Sequence, residues 1–143
     1  MKLELTRRGD YAVRAMIALG RDGGAGWLSA ARIAEQMRIP APFLPQIMAE
    51  LARARLVDSR PGRTGGYRLA RLASRISVLE VIEAVEGNAR SRTCVLRGAP
   101  CGLNGTCDAH VLFAEAHEAL LGRLAEAPLA RLIRPTLSAP DRE

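Results

Sequence analysis

The chain has 143 residues and a mass of 15.4 kDa, which allows one ordinary domain and excludes a large multidomain enzyme. Hydrophobic residues make up 48% of it, so a packed core is expected, whereas aromatic residues at 3% are too few for a module that stacks single-stranded bases. No apolar stretch reaches the roughly 18 residues needed to cross a bilayer, and the charged start lacks the apolar core of a signal peptide. We therefore expect a cytoplasmic protein with no membrane partner.

Positive charge is concentrated in the first half of the chain. Residues 1–78 contain 14 Lys and Arg against 6 Asp and Glu, a net charge of +8, whereas residues 79–143 carry a net charge of −2. Such a basic half is typical of a surface that binds a polyanion. A GC-rich genome would explain why nearly all the basic residues are Arg, but it would not explain the asymmetry.

Two helices are expected before residue 40. Apolar residues spaced three and four apart predict a first helix from about Thr6 to Leu19. Ser29 is a favourable N-cap for a second helix that extends to about Met37, because its hydroxyl can accept a hydrogen bond from the first helical turn.

A third helix is expected to begin near Pro42 and to end near Ala54. Pro42 and Pro45 fall in its first turn, where backbone N–H groups have no partner within the helix, so both prolines are compatible with a helix start. Five apolar side chains are expected to face inward from this helix: Phe43, Leu44, Ile47, Met48 and Leu51.

The residues after the third helix have the pattern of a β-hairpin. Two short apolar strands, one beginning near Leu56 and one ending near Leu69, flank the Gly-rich sequence PGRTGG. Two short helices followed closely by a basic hairpin predict a winged helix-turn-helix.

The second half of the chain contains a capped helix, a loop and a long helix. Residues Ser77–Glu80 form a capping box that starts a helix ended by Gly87, and residues 88–106 lack helical periodicity. Apolar residues recurring every three or four positions over 108–126 predict a helix of roughly 18 residues, about 27 Å long. Because this small domain cannot readily cover so long an apolar face, we expect the helix to pair with its copy in a homodimer.

The expected fold class is mainly α with a small β-hairpin wing, a winged helix-turn-helix plus a long dimerisation helix. Four parts follow one another in chain order: the winged helix-turn-helix over 1–87, a cysteine-containing loop over 88–107, the dimerisation helix and C-terminal segment over 108–135, and a flexible tail over 136–143.

All three cysteines lie in that loop. Cys94, Cys101 and Cys107 are separated by six and then five residues. An odd number of cysteines in a cytoplasmic protein does not make a disulfide framework. Structural zinc sites favour closely spaced pairs and four ligands, whereas three thiolates at wider spacing in a Gly-rich loop suit an iron–sulfur cluster.

Three cysteines leave one coordination position for another residue. His110 lies three residues after Cys107, at the start of the long helix, so both side chains can face the same way. Asp10 on the first helix is the competing candidate. Each also has an ordinary interpretation: a surface histidine, and an acid that interacts favourably with the helix dipole.

The segments IAEQMRIPAPFLPQIMAELARARLV, RPGRTGGYRLA and ISVLEVIEAVEG, followed by the three-cysteine loop, closely resemble the Rrf family of winged-helix regulators, of the IscR, NsrR and RirA type. The resemblance covers residues 1 to about 135 and is most specific in the wing sequence GGYRL and the cysteine loop. It implies a cytoplasmic homodimer that binds DNA, while an iron–sulfur cluster on Cys94, Cys101 and Cys107 senses iron, nitric oxide or redox state.

The resemblance implies two arrangements for the fourth ligand. Cys107-x2-His110 resembles the IscR arrangement, in which three cysteines and a histidine hold a [2Fe-2S] cluster. The sequence around Asp10 resembles the NsrR arrangement, in which an aspartate from the partner subunit reaches a [4Fe-4S] cluster. We favour His110 and [2Fe-2S]. The chain departs from the family in a first cysteine gap of six rather than five residues, in the wing sequence GRTGG, and in Arg55, which replaces a usual glycine.

In a helix-turn-helix, the N-terminal part of the second helix contacts base edges. Gln46 is the side chain there that could pair with adenine, so we predict an A/T-containing palindrome with half-sites about one helical turn (~34 Å) apart. Seven side chains are expected to contact DNA, from the recognition helix and the wing: Pro42, Pro45, Gln46, Arg53, Arg60, Arg63 and Arg68.

The predicted function is a transcriptional repressor whose DNA affinity depends on the cluster. Two alternatives remain open at this point. A cluster-independent winged-helix regulator would use the loop as a thiol or zinc switch, and an iron–sulfur electron-transfer protein would not need the basic half. No arrangement of Ser, His and Asp or of paired carboxylates is evident, so an enzyme is not expected.

Overall fold

The computed structural model describes residues 1–21, 26–88, 94–96, 101 and 107–133. These residues contain five α-helices and one two-stranded antiparallel sheet: α1 (Arg7–Arg21), α2 (Ala30–Met37), α3 (Leu44–Arg53), β1 (Val57–Arg60), β2 (Gly66–Leu69), α4 (Val78–Glu86) and α5 (Asp108–Glu126). Short 3₁₀ turns lie at Ala41–Phe43, Ala73–Arg75 and Leu129–Leu132. This order confirms the predicted winged helix-turn-helix with a long final helix.

The helix caps explain where α2 and α4 begin. The Ser29 hydroxyl accepts a hydrogen bond from the backbone N–H of Arg32 at 3.2 Å, as predicted. The capping box is also confirmed, because the Ser77 hydroxyl accepts from the Glu80 N–H at 3.1 Å while the Glu80 carboxylate accepts from the Ser77 N–H at 2.8 Å. Gly87, with φ +79°, follows the last residue of α4.

The start of the third helix differs from the prediction. The expected helical turn at Pro42 is a 3₁₀ turn, and α3 begins at Leu44 with Pro45 in its first turn. This tighter turn moves Phe43 off the inward face, so its side chain is 40% exposed and its ring packs on Tyr11 with centroids 5.4 Å apart. The inward orientation predicted for Phe43 is therefore wrong. The other four predicted residues are buried: Leu44, Ile47, Met48 and Leu51.

One hydrophobic core joins α1, α3 and α4. Its large, fully buried side chains come from these helices, from α2, from the segments next to them and from the turn after α5: Met16, Ile33, Leu44, Ile47, Met48, Leu51, Leu56, Ile76, Val81 and Leu129. Leu129 reaches this core because its backbone N–H donates to the Ile76 carbonyl at 2.7 Å. The segment after α5 is thereby fixed to the start of α4.

A third extended segment supplements the wing hairpin. Leu28 forms an antiparallel bridge with Tyr67, with N–H to carbonyl distances of 2.9 and 2.8 Å. Gly66 permits this approach, because it has φ +141° and a Cβ at this position would lie 2.3 Å from the Leu28 carbonyl oxygen. The sequence prediction contained only the two hairpin strands, whose register runs from Val57↔Leu69 to Arg60↔Gly66.

The long helix α5 occupies the predicted residues 108–126. Of its described side chains only Leu121 is buried, whereas Val111, Leu112 and Phe113 are exposed. None of the described helices is long and apolar enough to span a bilayer. Most of the predicted loop and the whole predicted tail lie outside the described residues, so the four-part division of the chain stays a prediction.

Candidate metal centre and nucleic-acid interface

The three cysteine thiols converge beside the N-terminus of α5. Their Sγ atoms all lie within 4.8 Å of one another, and Cys94 and Cys101 are each 3.8 Å from Cys107. The Nδ1 atom of His110 lies 3.4 Å from the Cys101 sulfur. The three predicted thiols therefore form one group, and the predicted imidazole lies beside it at Cys101.

The helix start shapes the electrostatics of this cluster of thiols. Cys107 is the N-cap of α5, and its sulfur accepts a hydrogen bond from the His110 N–H at 3.3 Å. The helix N-terminus favours negative charge, and the thiolate is the form that binds metals. Hydrogen bonds from the Cys107 backbone and from Cys94 lower the pKa of Cys101. A hydrogen bond with the Leu96 backbone acts to lower the pKa of Cys94. Hydrogen bonds with Cys101 and Cys107, together with burial, outweigh that effect, so the pKa of Cys94 is raised.

The thiol spacing bears on what the site can hold. In a tetrahedral site with metal–sulfur bonds of about 2.3 Å, ligand sulfurs lie about 3.8 Å apart. The two sulfur–sulfur distances of 3.8 Å at Cys107 match the distance expected for two ligands of one tetrahedral ion. Sulfur ligands on different irons of a cluster lie farther apart. The donor chemistry, three thiols and an imidazole, suits both an iron–sulfur cluster and a single zinc-like ion.

Asp10 is engaged elsewhere in this chain. Its Oδ1 atom accepts a hydrogen bond from Arg14 Nε at 2.9 Å, and its Oδ2 atom accepts one from Arg14 Nη2. This contact raises the pKa of Arg14. Arg14 also donates to the Met37 carbonyl at 3.2 Å, at the end of α2. Both Asp10 oxygens thus already have a cationic partner on the same helix.

The predicted base-reading face lies at the surface. Pro42, Pro45, Gln46 and Arg53 are all exposed, because they occupy the side of the 3₁₀ turn and α3 that points away from the core. Glu50 lies between this face and the core. Its Oε1 accepts a hydrogen bond from Arg8 of α1, and its Oε2 is buried without a hydrogen-bond partner. This ion pair connects α1 to the recognition helix, a contact that no sequence signal indicated.

The wing carries the three predicted arginines in different environments. Arg63 is exposed in the turn of the hairpin, whereas Arg60 and Arg68 lie over the Trp27 ring, with guanidinium carbons 4.4 and 4.5 Å from its centroid. A groove of about 560 Å³ separates the wing from the start of α2 and is lined by Ser29, Arg60 and Arg63. Trp27 is a component of the wing that sequence analysis missed.

A family model described as an iron-dependent transcriptional regulator, Rrf2, matches residues 5–135. The chain belongs to the Rrf2 family. The transcriptional regulator IscR of Escherichia coli K12 is 34% identical over 131 residues, which cover 92% of this chain and 80% of IscR. This match and the winged-helix fold confirm the family resemblance predicted from the wing and the cysteine loop.

Two solved structures of regulators extend the comparison of this Rrf2 protein. IscR of T. potens has a TM-score of 0.77 and 26% identity, covering 98% of this chain and 95% of its own. CymR, the global cysteine regulator of B. subtilis, has a TM-score of 0.76 and 26% identity, covering 92% and 97%. The protein is therefore a transcriptional regulator of the Rrf2 type. Because one such relative is a cysteine regulator, family membership alone does not assign a metal.

Proposed function

We propose that this Rrf2 protein is a cytoplasmic transcriptional repressor whose DNA affinity is set by an iron–sulfur cluster on Cys94, Cys101, Cys107 and His110. The observation that carries the proposal is the convergence of three thiols and one imidazole at the start of α5. When bound, a cluster of this kind would make the state of the protein depend on redox potential and on the supply of iron. The chain contributes Cys107 as the N-cap of α5, at a helix N-terminus that favours bound negative charge.

His110 is the fourth ligand in this proposal, with a [2Fe-2S] cluster favoured over [4Fe-4S]. Its Nδ1 atom already lies beside Cys101, whereas Asp10 would have to give up its two hydrogen bonds from Arg14. The competing arrangement, in which Asp10 comes from the partner subunit and completes a [4Fe-4S] cluster, requires that exchange of partners.

Anaerobic purification tests the cluster and its fourth ligand together. We expect wild-type protein to show visible charge-transfer absorption with near-equal iron and acid-labile sulfide. His110→Ala should abolish the visible absorption, whereas Asp10→Ala should leave it intact. His117→Ala, on the same helix, is the matched control and should also leave it intact. If Asp10→Ala lost the visible absorption and His110→Ala kept it, Asp10 rather than His110 would be the fourth ligand.

A second candidate function follows from the 3.8 Å sulfur separations. They favour a single tetrahedral ion, and the protein would then be a winged-helix regulator with a zinc or thiol switch. The same purified protein distinguishes the candidates. About one zinc ion per chain, no sulfide and no visible colour would support the zinc switch and overturn the cluster.

We further propose that a homodimer binds a palindromic, A/T-containing operator. Gln46 and the exposed prolines Pro42 and Pro45 would meet base edges, while Arg53 and the wing arginines would contact the backbone. The exposure of this whole face and its position on α3 support the assignment. The A/T preference rests on Gln46, since an amide side chain pairs bidentately with adenine.

Arg63→Ala tests the wing contact. Duplexes selected by the wild-type protein from a randomised library provide the operator, and binding is measured from 50 to 200 mM salt. Each subunit of the dimer would lose one phosphate contact, two per complex, so binding should weaken and the slope of log affinity against log salt should fall by about 2. Arg131→Ala, an exposed arginine in the 3₁₀ turn after α5, should bind as wild type does. An unchanged slope for Arg63→Ala would remove this arginine from the interface.

A further inference from the structure

Trp27 is the single tryptophan of the chain, and two arginines of the wing lie over its ring. The guanidinium carbons of Arg60 and Arg68 are 4.4 and 4.5 Å from the centroid of its ring. Both distances are well within the range of about 6 Å over which a cation is attracted by an aromatic face. Neither the helix-turn-helix pattern nor the cysteine loop accounts for this arrangement.

Strand register explains how the three side chains meet. The bridge between Leu28 and Tyr67 places Trp27 opposite Arg68, and the hairpin register places Arg68 opposite Asp58. Since side chains alternate between the two faces of a strand, these residues share one face, and the partly buried Leu28 and Tyr67 pack on the core from the other.

The cross-strand partner of Arg60 is Gly66, which has no side chain. Arg60 is therefore free to lean toward Trp27 across the face of the hairpin. The same glycine allows the Leu28 backbone to approach the hairpin, because a Cβ there would collide with the Leu28 carbonyl. Gly66 thus makes room both for the extended segment at Leu28 and for the contact of Arg60 with Trp27.

The local contacts also restrict where the guanidinium groups point. Arg60 donates to the Thr64 carbonyl at 2.5 Å, and Arg68 Nε donates to Asp58 Oδ2 at 3.3 Å. Stacking on an indole uses the flat face of a guanidinium, whereas hydrogen bonds to phosphate are made in its plane. An arginine held by its face is therefore oriented before a phosphate arrives, and it loses less rotamer entropy on binding.

We propose that Trp27 is a positioning residue for DNA binding, which acts by holding Arg60 and Arg68 in the orientation that meets the DNA backbone. The inference rests on the proposed wing contact, since it assigns a role to two of its arginines. It predicts that Trp27 contributes to affinity only through those arginines.

A double-mutant cycle tests this prediction on the selected duplex. Trp27→Leu should weaken binding about three- to tenfold, and Trp27→Phe, which keeps an aromatic face, should recover part of that loss. In the Arg60→Ala/Arg68→Ala background, Trp27→Leu should cause no further loss. A residue that only stabilised the wing would still weaken binding in that background, so an additive loss would overturn the proposal. Circular dichroism of each variant checks that it is folded.

Tryptophan emission gives a second readout on intact protein. Because Trp27 is the only tryptophan, addition of the duplex should change its emission in wild type and not in the Arg60→Ala/Arg68→Ala variant at saturating DNA. A selection that yields no duplex bound by wild type would count against the proposed function itself. A different outcome would overturn this inference alone: wild type binds the duplex, the Arg60→Ala/Arg68→Ala variant binds more weakly, and Trp27→Leu binds as tightly as wild type or more tightly.

Discussion

Two non-glycine residues carry left-handed backbone conformations. Arg38 follows α2 with φ +52°, and Arg55 lies two residues after the end of α3 with φ +61°. Arg55 thus adopts the left-handed turn that a glycine would adopt without strain. Its backbone N–H still donates to the Ala52 carbonyl at 2.9 Å. The turn between the recognition helix and the wing is therefore strained at this residue.

Arg55→Gly should stabilise the protein, because it relieves a left-handed conformation in an exposed side chain that makes no packing contribution to the core. The gain should be roughly 0.5–1 kcal/mol after the added freedom of the unfolded chain is subtracted. Arg53→Gly, two residues earlier and within α3, should destabilise by up to about 1 kcal/mol. Urea unfolding followed by circular dichroism measures both. A loss of stability in Arg55→Gly would show that the arginine side chain itself stabilises the turn.

At the scale of elements, most of the fold could be predicted because its signals are local. The Ser29 cap, the Ser77–Glu80 capping box and the Gly-rich hairpin each depend on residues a few positions apart. What could not be predicted is either a contact between distant segments or a local turn without a specific pattern. The Leu28–Tyr67 bridge joins residues far apart in the chain, and the 3₁₀ start that exposes Phe43 has no clear signature in a segment with two prolines.

The capping box of α4 should make stability depend on pH. Burial acts to raise the pKa of Glu80, but hydrogen bonds from Ser77 and Arg71 outweigh it, so the folded-state pKa is below the ordinary value of 4.5. The ionised carboxylate therefore stabilises the fold above pH 4.5, and this contribution disappears as pH falls through the lower folded-state pKa.

Glu80→Gln isolates that contribution, since glutamine can still complete a capping box but cannot ionise. Wild type should be the more stable at pH 7, by no more than about 1 kcal/mol because the side chain is partly exposed. The two proteins should converge as pH is lowered below 4.5. Arg71→Met should reduce the pH-dependent part of the unfolding free energy, because Arg71 donates a hydrogen bond to Glu80 at 2.9 Å. A difference that stays constant with pH would show that ionisation of Glu80 is irrelevant to stability.

At the scale of the whole molecule, the site was partly readable because its cysteines lie in one loop that runs into α5. Cys107 directly precedes α5 and His110 lies in the first turn of that helix, so the proximity of His110 to this thiol could be anticipated. The engagement of Asp10 by Arg14, the Arg8–Glu50 pair and the position of Trp27 could not, since each depends on how side chains meet after the core has formed.

The exposed side of α5 is the surface that supports the proposed homodimer. Leu121 is buried against the domain, and Leu112, nine residues earlier, lies about half a turn away around the helix and is 62% exposed. Val111 and Phe113 beside it are also exposed. A helix with one apolar side packed on its own domain and another facing solvent is suited to burying the second side against a copy of itself.

Leu112→Glu should convert a homodimer into monomers, because it places a charge at the centre of that exposed apolar face. Sedimentation velocity should show the shift in mass, and affinity for a palindromic duplex should fall more than affinity for a single half-site, since only a dimer engages both half-sites. Ala125→Glu adds the same charge on a different side of α5 and should remain dimeric. A dimer that survives Leu112→Glu would move the subunit interface to another surface, and the two recognition helices would then need a different spacing on DNA.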